Sequence, residues 1–271
     1  MVIIVTGSGG YIGQALIRRL WELGHEVIEV DIKGAVTGYN VKKTWQMNEL
    51  IDTSTPDAVI HLAAMRNVTH CEEEVTECYR TNFCAAVDLA RCCKETDIKF
   101  IFASTMAADI KKVEANAYIE TKRLAEKYLQ QLNNTTIVRL TNVVGGYEGY
   151  RMHSYPSLTE NIIRAINGEH QLTIHGDALR NFVYIDDVVN GFIEALDSTD
   201  KEINIQGPIT TYARDWVRWV TQWFGAYELK YKEAPPKPFE SQSMGYHFRP
   251  SDAHQYFAKI MESYTPFVKE K

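Results

Sequence analysis

The amino-acid sequence predicts an α/β fold, a doubly wound parallel sheet with a smaller C-terminal subdomain. Three observations carry this. Short aliphatic runs, apolar at consecutive rather than alternate positions, read as strands buried on both faces. Amphipathic stretches of helical period separate them. A glycine-rich turn, TGSGG, stands directly between the first such strand and the first such helix.

The first half of the chain alternates regularly. VIIVTG (residues 2–7) is a strand, and YIGQALIRRLWELG is a helix with Ile12, Leu16 and Leu20 on one face, ended by Gly24. EVIEVD (26–31), DAVIHLAA (57–64) and KFIFAS (99–104) are further strands, and a helix is predicted over about 76–93. A helix over about 116–132 and the strand TIVRL (136–140) follow. After Asn142 the rhythm breaks. Residues 145–158 are loop-rich, LTENIIRAINGE is a helix, and FVYIDDVVNGFIEAL (182–196) is a strand running into a helix, expected to return to the main sheet. ARDWVRWVTQWFG is a helix whose Trp216, Trp219 and Trp223 share one face for core packing. Pro235, Pro236 and Pro238 exclude a helix from residues 233–245. The expected organisation is a first domain over 1–142, a segment over 143–181, a return to the first domain over 182–205 and a subdomain over 206–271.

Composition bounds the partners. With 271 residues, 45% of them hydrophobic and 24% charged, the chain can build a sizeable core. A net charge of −6 argues against nucleic acid or an anionic membrane surface as a partner. No apolar run approaches membrane-spanning length, and MVIIVTGSGG does not read as a signal peptide, so a cytoplasmic location is expected. The five cysteines all lie between Cys71 and Cys93 without a C-x-x-C pair, which predicts free, mostly buried thiols and no metal site.

Gly7, Gly10 and Gly13 form G-x-x-G-x-x-G at the strand–turn–helix junction. Side chains there would keep a diphosphate from the helix N-terminus, where unpaired N–H groups attract negative charge. The second strand ends in Asp31, placed to accept hydrogen bonds from an adenosine ribose and to repel a 2′-phosphate. The motif predicts a dinucleotide, NAD in preference to NADP, with Lys33 nearby leaving some room for the phosphorylated form. Tyr118 and Lys122 stand one helical turn apart, a spacing that suits a proton-transfer pair and equally suits two surface neighbours.

The segments TGSGGYIG, PDAVIHLAA, TNFCAAVDLARCC, FIFAST, AYIETKRLAE, VRLTNVVG, LTIHGDALRNFVYIDDVV, INIQG and RPSD occur in this order from Val2 to about Asp252. In them the chain resembles the extended short-chain dehydrogenases/reductases, in the sugar-nucleotide epimerase/dehydratase branch, and is similar there to UDP-glucose 4-epimerases. The resemblance implies a Rossmann-type nucleotide domain, a substrate-binding role for 143–181 and 206–271, and a nucleotide-sugar substrate. It also implies a homodimer through the helices at 76–93 and 116–132. Gly7, Gly10, Tyr11, Ile12 and Gly13 would hold the diphosphate, and Asp31 the ribose. Asn40 falls where the family has an Asp near adenine. Ala63 and Ala64 would line the middle of the cofactor, and Arg66 stands where UDP-galactose 4-epimerases carry a Lys. Asn82 would organise the backbone of the site. Thr105, Tyr118 and Lys122 match the catalytic Ser/Thr, Tyr and Lys, and Asn142, Arg249 and Asp252 match substrate contacts.

The implied chemistry starts with Tyr118 taking a hydroxyl proton while hydride passes to NAD, leaving a keto-sugar nucleotide. Lys122, together with the positive nicotinamide ring, is expected to lower the phenol's pKa from its usual value of about 10, and to hydrogen-bond the nicotinamide ribose. Dehydratases of the branch follow the catalytic threonine with an acid. Here Met106 and Ala107 follow Thr105, which favours an epimerase. The 13 positions from Thr105 to Tyr118 are about half the usual link and are similar to that of inverting UDP-N-acetylglucosamine 4,6-dehydratases, with Asp109 as a substitute acid. A keto-sugar reductase and a non-catalytic dinucleotide sensor are also compatible with the same motifs.

Overall fold

The structure, a computed structural model, describes residues 1–32, 38–109, 116–147, 149, 156–235 and 253–269. These form two compact units, Met1–Leu140 with Asp186–Ile205, and Thr141–Ile185 with Gln206–Lys271.

The first unit opens with β1 (Val2–Thr6), α1 (Tyr11–Glu22) and β2 (Glu26–Val30), the two strands parallel and in register from Val2↔Glu26 to Thr6↔Val30. Next come α2 (Thr44–Ser54), β3 (Ala58–His61) and two short helices, α3 (Val68–Glu73) and α4 (Val75–Tyr79). A π-helical turn (Arg80–Cys84) leads into α5 (Ala85–Glu95). Then follow β4 (Lys99–Thr105), α6 (Met106–Asp109), α7 (Ala117–Leu129) and β5 (Thr135–Leu140).

β6 (Asn142–Val144), α8 (Leu158–Ile166), β7 (Leu172–His175) and β8 (Leu179–Tyr184) belong to the second unit. The chain passes back into the first unit along α9 (Ile185–Asp197) and β9 (Glu202–Ile205). The six strands there run in the order β2-β1-β3-β4-β5-β9, all parallel, as the doubly wound reading requires. Every residue of β3 and β5 is buried, which is why these strands lack polar alternation.

The second unit continues with β10 (Ile209–Tyr212), α10 (Ala213–Trp223), β11 (Tyr231–Ala234) and α11 (Ala253–Tyr264). Its sheets are β10-β8-β6 and β11-β7. This corrects one expectation. The strand at 182 does not return to the main sheet but sits between β10 and β6, and the return is made by β9. The apolar run FVYI is equally compatible with either sheet, so hydrophobicity cannot distinguish them. Trp216 is fully buried, stacked on Phe182 at 3.8 Å, whereas Trp223 at the helix end is 40% exposed and meets Phe257 edge to face. Core packing therefore holds for the first tryptophan and fades along the helix.

The helix predicted over 76–93 is interrupted. Asn82, in the π-helical turn, is fully buried and uses its amide twice on the Met65 backbone, accepting from the Met65 N–H at 2.7 Å and donating to its carbonyl at 2.9 Å. A π turn widens the helix there, a feature common at functional sites. No hydrophobic pattern announces it.

Candidate active site

The glycine turn is held by its own backbone before any ligand is considered. Gly7 adopts φ +72°, and a Cβ on it would stand 2.7 Å from the Ala63 nitrogen. A Cβ on Gly13 would stand 2.3 Å from the Gly7 carbonyl oxygen. Glycine is thus required by the strand–turn–helix packing itself. Gly10 is the N-cap of α1 and makes no side-chain cap hydrogen bond. Asp31 accepts a hydrogen bond from the Gly9 N–H at 3.0 Å, tying the end of β2 to the turn. Ser8 Oγ is buried there with no hydrogen-bond partner.

Beside the turn, Thr6 Oγ1 accepts from the Ala63 N–H at 3.3 Å and shares a 2.8 Å hydrogen bond with His61 Nδ1. Ala63 and Ala64 follow β3, half-buried, and Arg66 beyond them is exposed. Burial, with Lys122 adding to it, pushes His61 down to about 3, so the ring is neutral between Phe100 and Phe102. Asn40 lies ahead of α2, its side-chain oxygen accepting from the Lys42 N–H at 3.0 Å.

Thr105 is the last residue of β4, and its hydroxyl oxygen accepts from the Ala107 N–H at 3.3 Å. Tyr118 and Lys122 lie in the first two turns of α7. Two acceptors fix that helix end. Asn116 Oδ1 takes the Ile119 N–H at 2.8 Å, and Glu72 Oε1 takes the Ala117 N–H at 2.6 Å. Arg123 donates to the carbonyls of Ala108 (3.0 Å) and Ala107 (3.5 Å), fastening α6 onto α7.

Lys122 is buried. Its Nζ donates to the Ala103 carbonyl at 2.8 Å and lies 4.4 Å from the Phe102 ring centroid. Burial pulls its pKa down to about 8, while Glu126 opposes the fall. Tyr118 lies one turn before Lys122. Burial around its hydroxyl pushes the phenol up to about 12; the nearby Cys71 adds to this, and the cation acting against it is Arg66 rather than Lys122. Lys122 turns its charge toward β4, which explains why it leaves the phenol unassisted in the chain alone.

Several residues at this end of the unit were not anticipated. Cys71 and Cys78 are buried against each other, with Cys78 Sγ accepting from Asn82 at 3.3 Å and Cys71 Sγ donating to the Met65 carbonyl at 3.3 Å. Glu126 binds Ser104 and Arg139. Asn116 had a signal, an Asn immediately before a helical period, whereas Glu72 had none, because its partner lies 45 residues away. Among the described residues no cluster of three or more His, Cys, Asp or Glu side chains suits a metal. No described helix is long and apolar enough to cross a membrane.

In the second unit, Asn142 Nδ2 donates to the Asn181 carbonyl at 2.9 Å. Arg249 and Asp252, with Lys33, lie outside the described residues.

The family model for NAD dependent epimerases/dehydratases matches residues 3–205. The chain belongs to that family. Its cofactor is NAD. The UDP-glucose 4-epimerase of Lactobacillus helveticus is 25% identical over 237 residues, 72% of each chain. UDP-glucuronic acid decarboxylase 1 of Xenopus tropicalis is 26% identical over 257 residues, 83% of this chain and 60% of that one. Among solved structures, the UDP-glucose 4-epimerase of Thermotoga maritima with UDP-glucose aligns at a TM-score of 0.82 and 23% identity, covering 99% of this chain and all of that one. The fold is theirs. The residues present fit the family's cofactor: the Cβ-free cradle at Gly7 and Gly13 and the orphaned Ser8 hydroxyl are features a dinucleotide would use.

Proposed function

We propose that this family member is an epimerase acting on a nucleotide-diphosphate sugar through a transient ketone, with Tyr118 as the base. One observation carries the reading. Tyr118, a buried Lys122 and Thr105 are brought by α7 and β4 to the carboxyl edge of the parallel sheet, and the chain after Thr105 offers Met106 and Ala107 where an elimination would need an acid.

NAD, when bound, supplies the hydride acceptor for the sugar carbon and returns the hydride. Gly7, Gly10, Tyr11, Ile12, Gly13 and Asp31 would hold it, with Ala63, Ala64 and Arg66 along its middle. Asn82 keeps the Met65 backbone in place. Tyr118 takes the hydroxyl proton as the C–H bond breaks and gives it back when the ketone is reduced from its other face, so protons and electrons balance over one turnover. A phenol raised to about 12 is a reluctant anion, and the Arg66 charge favours the ionised form. Thr105 donates its hydroxyl proton to the same sugar oxygen, its own oxygen lone pair being held by Ala107. Asn142, Arg249 and Asp252 would contact the nucleotide sugar.

The test is incubation of the purified chain with UDP- and TDP-sugars, following absorbance at 340 nm alongside product NMR. An epimerase yields a new sugar with no net NADH change. Net NADH consumption identifies a reductase, a deoxy-keto sugar identifies a dehydratase, loss of a carboxylate carbon identifies a decarboxylase, and no product with intact NAD binding identifies a sensor.

A further inference from the structure

We propose that Asn181 is a positioning residue: its side chain and its main-chain carbonyl together grip the Thr141–Asn142 dipeptide and set the Asn142 amide in the orientation that meets a nucleotide sugar. The proposal rests on the reading of Asn142 as a substrate contact.

Asn181 lies in β8, the middle strand of β10-β8-β6, and is 2% exposed. Register places Thr210 of β10 across from it, and Asn142 of β6 across from the next residue, Phe182. Gly207 fixes which way the Asn181 amide faces, because it presents both of its backbone groups. The Gly207 N–H donates to Asn181 Oδ1 at 3.0 Å, and Asn181 Nδ2 donates to the Gly207 carbonyl at 2.7 Å. The Thr141 hydroxyl, 2.9 Å from Oδ1, is therefore a donor, and the Thr210 hydroxyl oxygen, 3.0 Å from Nδ2, an acceptor. Both N–H groups and both oxygen lone pairs are engaged, so the side chain has no second orientation. Gly207 is itself pressed against this strand: a Cβ on it would stand 1.9 Å from the Phe182 carbonyl oxygen.

The main-chain carbonyl of Asn181 accepts from Asn142 Nδ2 at 2.9 Å. A carbonyl can only accept, so the Asn142 amide must turn its nitrogen toward β8. That pairing uses one N–H and fixes the plane of the group. The second N–H is the kind of donor that a phosphate oxygen, an acceptor only, would take. Thr141 and Asn142 are adjacent, so the side-chain bond to the first and the backbone bond to the second hold one short segment at two points. β6 is no longer than Asn142–Val144, and these bonds reinforce its short ladder at the first residue.

The experiment measures binding of uridine and thymidine diphosphate by calorimetry, with NADH binding as the control. Thr141→Val removes the hydroxyl that reaches Asn181 and keeps the shape of the side chain. It should weaken nucleoside diphosphate binding about threefold to tenfold, the size of one ordinary hydrogen bond. Thr141→Ser, which restores the hydroxyl, should recover the affinity, and NADH binding should match wild type in both. Asn181→Ala should weaken binding further, and Thr141→Val carries the test if that variant does not fold. In an Asn142→Ala background, Thr141→Val should add less than about a twofold change, because its effect runs through Asn142. A full effect in that background overturns the proposal. NMR of protein carrying 15N-asparagine, assigned with Asn142→Ala, reads the linkage directly. The Asn142 side-chain NH2 pair should shift and exchange faster in Thr141→Val, and an unmoved pair overturns the proposal. A moved pair, with diphosphate binding absent in wild type or unaffected by Asn142→Ala, overturns the substrate reading of Asn142 and leaves its link to Asn181 intact.

Discussion

Gly13 and Gly7 touch across the first turn of the chain, with room for no more than hydrogen between the Cα of one and the carbonyl oxygen of the other, since a Cβ would stand at 2.3 Å. Because that oxygen belongs to the backbone, the clash cannot be relieved by a rotamer change. Gly13→Ala should therefore lower stability by about 1–3 kcal/mol and weaken NADH binding at least tenfold, read by thermal denaturation and by NADH fluorescence titration. Gly24→Ala is the matched control. Nothing lies within 4 Å of its Cβ, but φ is +78°, so it should cost about 1 kcal/mol of strain and leave NADH binding unchanged.

Tyr118→Phe removes the proposed base and keeps the ring. Loss of a positioned acid–base group costs on the order of 10²- to 10⁴-fold in rate. Turnover should fall by at least that lower figure, with NADH binding and melting temperature close to wild type. Turnover within a few-fold of wild type would refute the assignment of Tyr118.

Much of this was legible in the residues. The parallel strands announced themselves as unbroken aliphatic runs, and the glycine turn lay where a strand met a helix. The Tyr–Lys spacing was visible, and so was the chain's resemblance to its family. What stayed hidden depended on contacts between residues far apart in sequence. Lys122 Nζ points to the Ala103 carbonyl, Asn82 in the π turn pairs with Met65, and Glu72 joins Asn116 at the α7 end. Local period carries none of these. The same limit explains the strand at 182, whose apolar pattern is satisfied in either sheet and whose partners, β6 and β10, are chosen by topology.

Asn82→Ala should be costly for its size. It leaves the Met65 N–H without its partner and the Met65 carbonyl with only the weak Cys71 thiol donor, and an unsatisfied buried group costs about 1–3 kcal/mol. A loss in that range by urea denaturation is expected, together with faster amide exchange at Met65. A substitution effect under about 0.5 kcal/mol, the range of ordinary surface changes, would mean that the π turn does not depend on this side chain.

His61 ties stability to acid. Its folded value, about 3, lies below the ordinary 6.5, so between these limits the unfolded chain binds the proton that the folded chain refuses. Stability is therefore lost as pH falls through 6.5 and the loss is complete near 3. At 1.36 kcal/mol per unit its full size is about 5 kcal/mol. Equilibrium unfolding at stepped pH should show this acid limb in wild type and a shallower one in His61→Asn, even though that variant is less stable at neutral pH through loss of the Phe100 and Phe102 contacts.

Lys122→Met separates stability from turnover. The folded value of about 8 lies below the ordinary 10.5, so the unfolded state binds the extra proton between them and stability rises with pH across that window. Below pH 8 the buried ammonium costs about 3 kcal/mol, a ceiling reduced by the hydrogen bond to Ala103 that Met cannot make. Lys122→Met should thus be at least as stable as wild type at pH 7, with any advantage shrinking toward pH 10.5, while turnover falls at least tenfold. Urea denaturation at pH 7 and pH 10, run beside the NMR product assay, measures both. A variant that is destabilised at pH 7 and recovers at pH 10 would have the sign reversed, and would show that Lys122 is held charged at no cost to the fold.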